Sequence, residues 1–485
     1  MDYYRKIGNQ ISWVYVIKIA DFSIMLALFA ILTRFLSKDD FGLYSLLNVS
    51  ILLLTGILSL GLPDFIVRTF TGKKEDEKRQ AFRQVFCLSC IISLISTIVL
   101  LFLTYFVLEA LKLSTIFLAT SLVILCSGFI VIGSIVEAYI YSEKNTVKSK
   151  LLSVSLRSFW ALPVIILALS DAIGLNMIFA TRLIFTILVL ICVFTYLRSM
   201  NFKFIQKIDW SYAKKALLFG IPLATLVVSQ WAITATDRYM LGWFHSAASV
   251  GNYSFVYTLL DFIFVFSTSA ISLVLYPYIV EEYNHGKKER SNFLMNSMLK
   301  YILILAVPAL AGFYILSKEI TTMVSGQGYL PALVILPYLI IFPLLKSITT
   351  VFTYALTLKN MTKIIAFLYG GGIVLNIILN MLLIPAYGIT GAGIATTVTY
   401  IAMAAFFMQI GSRHVALDYA YLGIGKILLS TAIMALPLLF IHPYNVFSKI
   451  ATIILGAAVY VACLLLLKAF REDEITLIKN LVLRK

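Results

Sequence analysis

Apolar residues fill this chain in long uninterrupted runs, separated by short polar connections. Fourteen of these runs read as membrane spans: 12–33, 41–62, 85–108, 115–141, 151–169, 176–197, 216–236, 250–280, 301–316, 331–358, 364–384, 391–410, 427–441 and 450–467. A helix needs about 20 apolar residues to cross the roughly 30 Å hydrocarbon layer. Backbone polar groups in lipid must be paired within their own element or within a closed barrel. The runs are too long and too uniformly apolar for the alternating ten-residue strands of a barrel. The pattern predicts an all-α polytopic membrane protein with 14 transmembrane helices.

Composition agrees, at 61% hydrophobic over 485 residues, and charge adds an orientation. Of the 39 Lys and Arg residues, 30 fall on the inner side if the N-terminus is cytoplasmic, Arg157 at the inner end of its span among them. Six fall on the outer side, and Lys18, Arg182 and Lys346 lie within spans. Short loops rich in Lys and Arg stay in the cytoplasm, which places both termini there. The +16 net charge is then a topology signal and no nucleic-acid footprint. Met1 to Lys6 precede an apolar run of about 22 residues with no small-residue cleavage site, too long for a signal peptide, so it is expected to remain as the first helix.

Several function classes fall away. The longest outer connection is 317–330 and the longest inner one 63–84, neither large enough for a folded soluble domain. No phosphate-binding GxxxxGK[ST] motif is present, since Gly425-Lys426 lacks the first glycine and the strand before it. His245, His285, His414 and His442 show no ligand spacing, and Cys87, Cys90, Cys126, Cys192 and Cys463 lie in or beside apolar spans. Cys87 and Cys90 form a CxxC without the βαβ context of a redox motif. The expectation is a protein without cofactor or metal, and not an enzyme.

The chain also repeats itself. Phe41-Gly42-Leu43-Tyr44-Ser45 recurs as Val250-Gly251-Asn252-Tyr253-Ser254, 209 residues later, and the Tyr139 to Lys148 stretch recurs as Tyr354 to Lys363, 215 residues later. Six spans separate the equivalent points, and an even number preserves direction across the membrane. The repeats are therefore parallel, related by a pseudo-two-fold axis along the membrane normal, with the substrate path expected between them. This divides the chain into a six-helix lobe at 1–205, a second at 206–411, and an additional helix pair with a basic cytoplasmic tail at 412–485.

The paired Gly-x-Tyr-Ser helix starts, Asp237-Arg238-Tyr239-Met240-Leu241-Gly242, the two Lys-Asn turns, and Leu383-Ile384-Pro385-Ala386-Tyr387-Gly388 running on to Ala395 together resemble the polysaccharide-transport branch of the multidrug/oligosaccharidyl-lipid/polysaccharide exporter superfamily. The resemblance covers about residues 1–411. It implies an O-antigen-flippase-like activity at a bacterial plasma membrane. The substrate would be a polyprenyl-diphosphate-linked oligosaccharide, with glycosyltransferases and a polymerase as pathway partners, a monomeric protein, and H⁺ or Na⁺ coupling in the absence of a nucleotide site. It also implies that basic residues lining the path hold the lipid diphosphate.

The candidate site residues are the charges at membrane depth, which cost about 2.5 to 3.5 kcal/mol each if they face lipid. Lys18 and Asp21 are three apart on one helix face, so they either neutralise each other or form a head-group site. Asp261, with no evident local partner, is the first candidate for ion coupling, since a lone carboxylate there must be protonated or hold a cation. Asp21 and Asp237 join it as ion-coupling candidates. Lys18, Arg34, Arg182, Arg238 and Lys346 form the substrate-binding set, with Arg34 and Arg238 expected at a basic outer mouth. Structural pairing and snorkelling to the interface are the alternatives for each. The rival functions are a cation-coupled multidrug antiporter of the same superfamily, which an acidic aromatic cavity would favour, and a membrane polysaccharide polymerase or ligase, for which 317–330 is a short outer loop.

Overall fold

The computed structural model describes residues 2–70, 75–110, 114–143, 145–168, 173–199, 208–415, 418, 423–441, 443 and 445–470. The 205/206 lobe boundary, Lys144 of the first Lys-Asn turn, His442 and the basic tail from 471 onward lie outside the described residues. Among the described residues every regular element is helical. In chain order they are α1 (Asp2–Phe35), α2 (Lys38–Ser59), α3 (Leu62–Phe70), α4 (Glu75–Ala110), α5 (Phe117–Ser142), α6 (Thr146–Arg157), α7 (Ala161–Ala168), α8 (Leu175–Ser199), α9 (Trp210–Phe244), α10 (Ala247–Phe264), α11 (Ala270–Asn284), α12 (Lys288–Ile315), α13 (Ser317–Ser325), α14 (Leu336–Leu339), α15 (Phe342–Leu358), α16 (Thr362–Gly411), α17 (Ile424–Phe440) and α18 (Val446–Leu466).

The described residues of the fourteen apolar runs lie mostly on helix, broken by turns as at 158–160 and 340–341, and ten described helices are long and apolar enough to cross a membrane, or eleven with one bent pair counted as a span. Splitting the 50-residue α16 in two and adding the 35-residue α9 and the 17-residue α17 is consistent with fourteen. At 1.5 Å per residue α16 would be about 75 Å long, more than twice the hydrocarbon thickness. It is broken at Gly388, whose φ of 55° and ψ of −130° only glycine adopts readily. The run at 331–358 is likewise divided: a 3₁₀ stretch with α14 meets α15 at 43°. Pro331, Pro337 and Pro343 punctuate it, each removing a backbone donor. The run at 250–280 holds one turn of π-helix, Val265–Ser269, between α10 and α11.

The sequence repeat has a local structural counterpart. Ser37 caps α2 by accepting from the Asp40 amide, and Ser246 caps α10 by accepting from the Ser249 amide, again 209 residues on. Such caps satisfy amides that the first helical turn leaves unpaired. Tyr44 and Ser45, like Tyr253 and Ser254, then point inward and are buried. The two Lys-Asn turns diverge: Asn145 caps α6 through its side chain, whereas Asn360 takes up a left-handed conformation, φ 55°.

The helices form two compact units, Met1–Ala235 and Thr236–Lys485. In the first, Phe65, Ile66, Phe70, Phe82, Phe86, Tyr139 and Leu197 share one core, with Phe82 stacked on Tyr139 at 4.2 Å. Within this unit Gly61, at φ 65°, and Gly220 approach so closely that a Cβ on Gly220 would overlap the Leu60 carbonyl. Gly220→Ala should therefore force the backbones apart and cost about 1 to 3 kcal/mol, read as a fall in the unfolding temperature of detergent-solubilised protein. In the second unit, Ile279, Met298, Ile302, Val351 and Ala355 form one core. A further core joins Ile304 of α12 to Ile427, Met434 and Leu438 of α17 and Tyr460 and Leu464 of α18. The last two helices thus pack on each other and on α12.

Large apolar side chains face outward in both units, Leu94 and Phe102 of α4 being 62% and 63% exposed, while Asp237, Asn376, Asn380 and Arg182 are buried. A surface of this kind is stable against hydrocarbon, and the protein is a multi-pass membrane protein.

Candidate functional site

In the second unit the end of α9, α10 and both halves of α16 converge on Asp237. Its carboxylate is fully buried. One oxygen accepts from the Tyr253 hydroxyl at 2.6 Å and the Thr396 hydroxyl at 2.5 Å, and the other from the Asn380 amide at 2.5 Å. Asn380 also donates to the Asn376 side-chain oxygen at 3.0 Å. The break in α16 makes this possible. A Cβ on Gly391 would overlap the Leu383 carbonyl, so the chain folds back tightly and sets Asn380 and Thr396 against the same carboxylate. His245 sits 2.8 Å from the Ile384 carbonyl and pins the corner. All donors to Asp237 are neutral, the Asn380 side-chain oxygen has no donor of its own, and no ion pair neutralises the carboxylate among the described residues. A buried charge of this kind persists only with such donors or with a bound cation.

Arg238, next in sequence, is also buried. Its Nε donates to Ser254 at 3.1 Å and its guanidinium lies 4.8 Å from the centre of the Tyr257 ring. Tyr257 stacks on Phe342 of α15 at 4.8 Å, and its hydroxyl is buried without a hydrogen-bond partner. One turn further along α10 is Asp261.

The expectation of a lone Asp261 is overturned here. Lys346 Nζ lies 2.7 Å from Asp261 Oδ1, with side chains 19% and 32% exposed respectively, and 4.1 Å from the Phe264 ring centre. The pair bridges two irregular helices, α10 where it enters the π turn and α15 just past Pro343. Local spacing conceals it because the partners are 85 residues apart. The mouth position expected for Arg238 is corrected as well, since it is 6% exposed, beside the fully buried Asp237.

The first unit holds the other four candidates. Arg182 is buried on α8, donates to Asn48 of α2 at 2.8 Å and lies 4.6 Å from the centre of the Trp160 ring. Its Nε has no partner, and no carboxylate faces it among the described residues. Lys18 and Asp21 are half-buried on α1 and form no direct ion pair, which goes against the mutual-neutralisation alternative. One Asp21 oxygen is buried without a partner. Arg34 is exposed in the last turn of α1.

Tyr253, Asn376, Asn380, Thr396 and Asn48 were not identified from the sequence. A usable signal was present for two of them: Asn376 and Asn380 are four apart within an apolar run, hence on one helix face, where two unpaired amides are costly in hydrocarbon.

A family model described as polysaccharide biosynthesis protein matches residues 31–334, well over half of the chain. The chain belongs to this family. The match takes in Arg34, Arg182, Asp237, Arg238 and Asp261. Family membership agrees with the resemblance carried by the paired helix starts and the Pro385 to Gly388 break. Among curated relatives, the probable low-salt glycan biosynthesis flippase Agl15 of Haloferax volcanii is 25% identical over 250 residues, 51% of this chain and 52% of that protein. The chain spans about half the length of the curated relatives it matches. Among solved structures, the lipid II flippase MurJ in an inward closed conformation superposes with a TM-score of 0.74 at 17% identity, covering 93% of this chain and 97% of that one. An inward-facing multidrug resistance MATE family transporter of the MOP superfamily superposes with a TM-score of 0.66 at 12% identity, covering 81% and 94%. At these identities the superpositions show a shared fold.

Proposed function

We propose that this protein is a flippase that carries a polyprenyl-diphosphate-linked oligosaccharide across the cytoplasmic membrane of a bacterium by alternating access, for surface polysaccharide biosynthesis. It would act as a transporter and not as an enzyme, alongside glycosyltransferases and a polymerase, with both termini in the cytoplasm. The observation that carries this reading is a surplus of basic side chains at membrane depth, Arg182 above all, buried without a carboxylate in a chain of a polysaccharide biosynthesis family. Cations are retained at that cost where an anion passes. Lys18 in the first unit and Lys346 in the second, each partly exposed, are the candidate diphosphate contacts. Arg34, Arg182 and Arg238 add to the positive field, and Arg is suited to forked contact with phosphate.

Ion coupling fits Asp237 better than Asp261, which is already paired. Tyr253 and Thr396 bring hydroxyl oxygens to Asp237 while Asn380 brings its amide nitrogen, so the oxygens open to a hard cation are those of the carboxylate, the two hydroxyls and the unpartnered Asn380 side chain, an acceptor that Na⁺ would satisfy. A proton on Asp237 would serve the same purpose, and Asp21 is a second ion-coupling candidate.

The test is reconstitution into proteoliposomes with a polyprenyl-diphosphate-linked oligosaccharide on the inner leaflet, followed by a glycan-modifying probe added outside. Protein-dependent exposure of the glycan is expected. No exposure, together with efflux of organic cations by the same vesicles, would overturn the reading in favour of the multidrug antiporter.

A further inference from the structure

Helix α15 is built the wrong way round for a helix that faces lipid. Lys346, Thr350, Thr353 and Thr357 recur at spacings of four, three and four, which places them in one stripe along the helix. Lys346, Thr350 and Thr353 are half-exposed and Thr357 is exposed. The opposite face, Val351, Phe352, Ala355 and Leu356, is buried. A helix against hydrocarbon turns its apolar face outward, and a stripe that begins with a charged lysine at membrane depth cannot lie against lipid tails. The open side of α15 is therefore polar and faces a polar compartment.

The hydroxyls on this stripe share one arrangement. Thr350 donates to the Lys346 carbonyl, Thr353 to the Thr349 carbonyl and Thr357 to the Thr353 carbonyl, each at 2.8 Å. With its proton committed to the helix, each oxygen keeps free lone pairs, so the stripe is a row of neutral acceptors about one helical turn, roughly 5.4 Å, apart. Tyr369 of α16 brings its hydroxyl to 3.5 Å from Thr353. Beside the stripe, Tyr354 stacks on Tyr276 of α11 at 4.2 Å, with both rings half-exposed. At the head of the stripe lies the Asp261–Lys346 ion pair. Neutral acceptors in a row, next to aromatic faces, suit a ligand with many hydroxyl donors and apolar ring faces, and neither a lipid tail nor an organic cation has that chemistry.

We propose that the Thr350, Thr353 and Thr357 face of α15, with Tyr369 and the Tyr276–Tyr354 stack, is a carbohydrate-binding track that holds the sugar portion of the substrate while Lys346 at its head meets the diphosphate. The assignment rests on the flippase reading for its substrate and adds a separate site for the glycan. Thr→Val removes each hydroxyl at constant size, so Thr350→Val/Thr353→Val should fold as the parent does, with the unfolding temperature as the check. In proteoliposomes the double variant should raise KM about tenfold for a polyprenyl diphosphate carrying four sugars, two lost hydrogen bonds. The penalty should shrink as the glycan is shortened to one sugar. Lys346→Ala should instead impair every glycan length equally. A penalty in the threonine variant that does not depend on glycan length, or none at all, would overturn the track. If the parent protein flips no lipid-linked sugar, the flippase reading fails, and binding decides the track separately. Neutral hexose and N-acetylhexosamine oligosaccharides of four to six units, titrated in detergent against tyrosine fluorescence, should bind the parent and bind Thr350→Val/Thr353→Val and Tyr369→Phe more weakly. Equal binding, or no binding to the parent, would overturn it.

Discussion

Asp237→Ala is expected to be the most damaging single substitution in the second unit. It removes the acceptor for Tyr253, Thr396 and Asn380 at once, all of them buried. A buried donor left without a partner costs about 1 to 3 kcal/mol, and three of them cost about 3 kcal/mol or more, although the hydroxyls can turn toward other acceptors. Thermal unfolding in detergent should show a loss larger than that of Gly220→Ala. Asp237→Asn separates stability from coupling, because it keeps the volume and one acceptor oxygen while removing the charge. It should fold with a smaller penalty, yet lose any dependence of glycan flipping on a Na⁺ or pH gradient. A parent that responds to such a gradient and an Asp237→Asn variant that responds equally would remove Asp237 from ion coupling.

The second large effect concerns Lys346. Lys346→Ala leaves Asp261 partly buried with no counter-charge, and breaking a buried pair costs about 3 to 5 kcal/mol. The partial exposure of both side chains reduces this to about 1 to 3 kcal/mol. Adding Asp261→Asn to Lys346→Ala removes the orphaned charge, so the double variant should regain most of the lost stability. Flipping should stay abolished, because the cation that meets the diphosphate is gone. This pattern, stability restored and transport not, distinguishes a residue that contacts substrate from one that only holds two helices together. Restored transport in the double variant would reduce Lys346 to structural pairing. Single and double variants of equal stability would show that the pair contributes nothing to the fold.

The residues that were misjudged from the sequence are those whose partners lie far along the chain. Lys18 and Asp21 looked like a pair because three residues along a helix bring side chains to one face. In the structure no direct ion pair joins them and one Asp21 oxygen is buried without a partner, since sharing a face does not fix rotamers. Asp261 looked solitary because α15 lies 85 residues away. Arg238 was expected with Arg34 at an outer mouth and is instead buried beside Asp237; successive helical residues point about 100° apart, so Asp237 meets Asn380 and Thr396 of α16 while Arg238 lies against Tyr257. Arg182 was legible as an intramembrane cation. Its seat on Asn48 and Trp160 was not, because both arise from packing of α8 against other helices.

The amino-acid sequence alone determined that the chain is helical and membrane-embedded, and that it repeats at about 210 residues. These follow from local or summed constraints: hydrocarbon thickness sets helix length, lipid leaves backbone groups no outside partner, and two serine caps sit at one offset in both copies. Tertiary structure alone decided which buried charges are paired and which are cradled by neutral groups. The fold-back at Gly388 that joins Asn380 and Thr396 on Asp237, and the break before α15 that sets Lys346 against Asp261, depend on how helices stack, and stacking is decided by contacts between residues that are 85 to 159 positions apart.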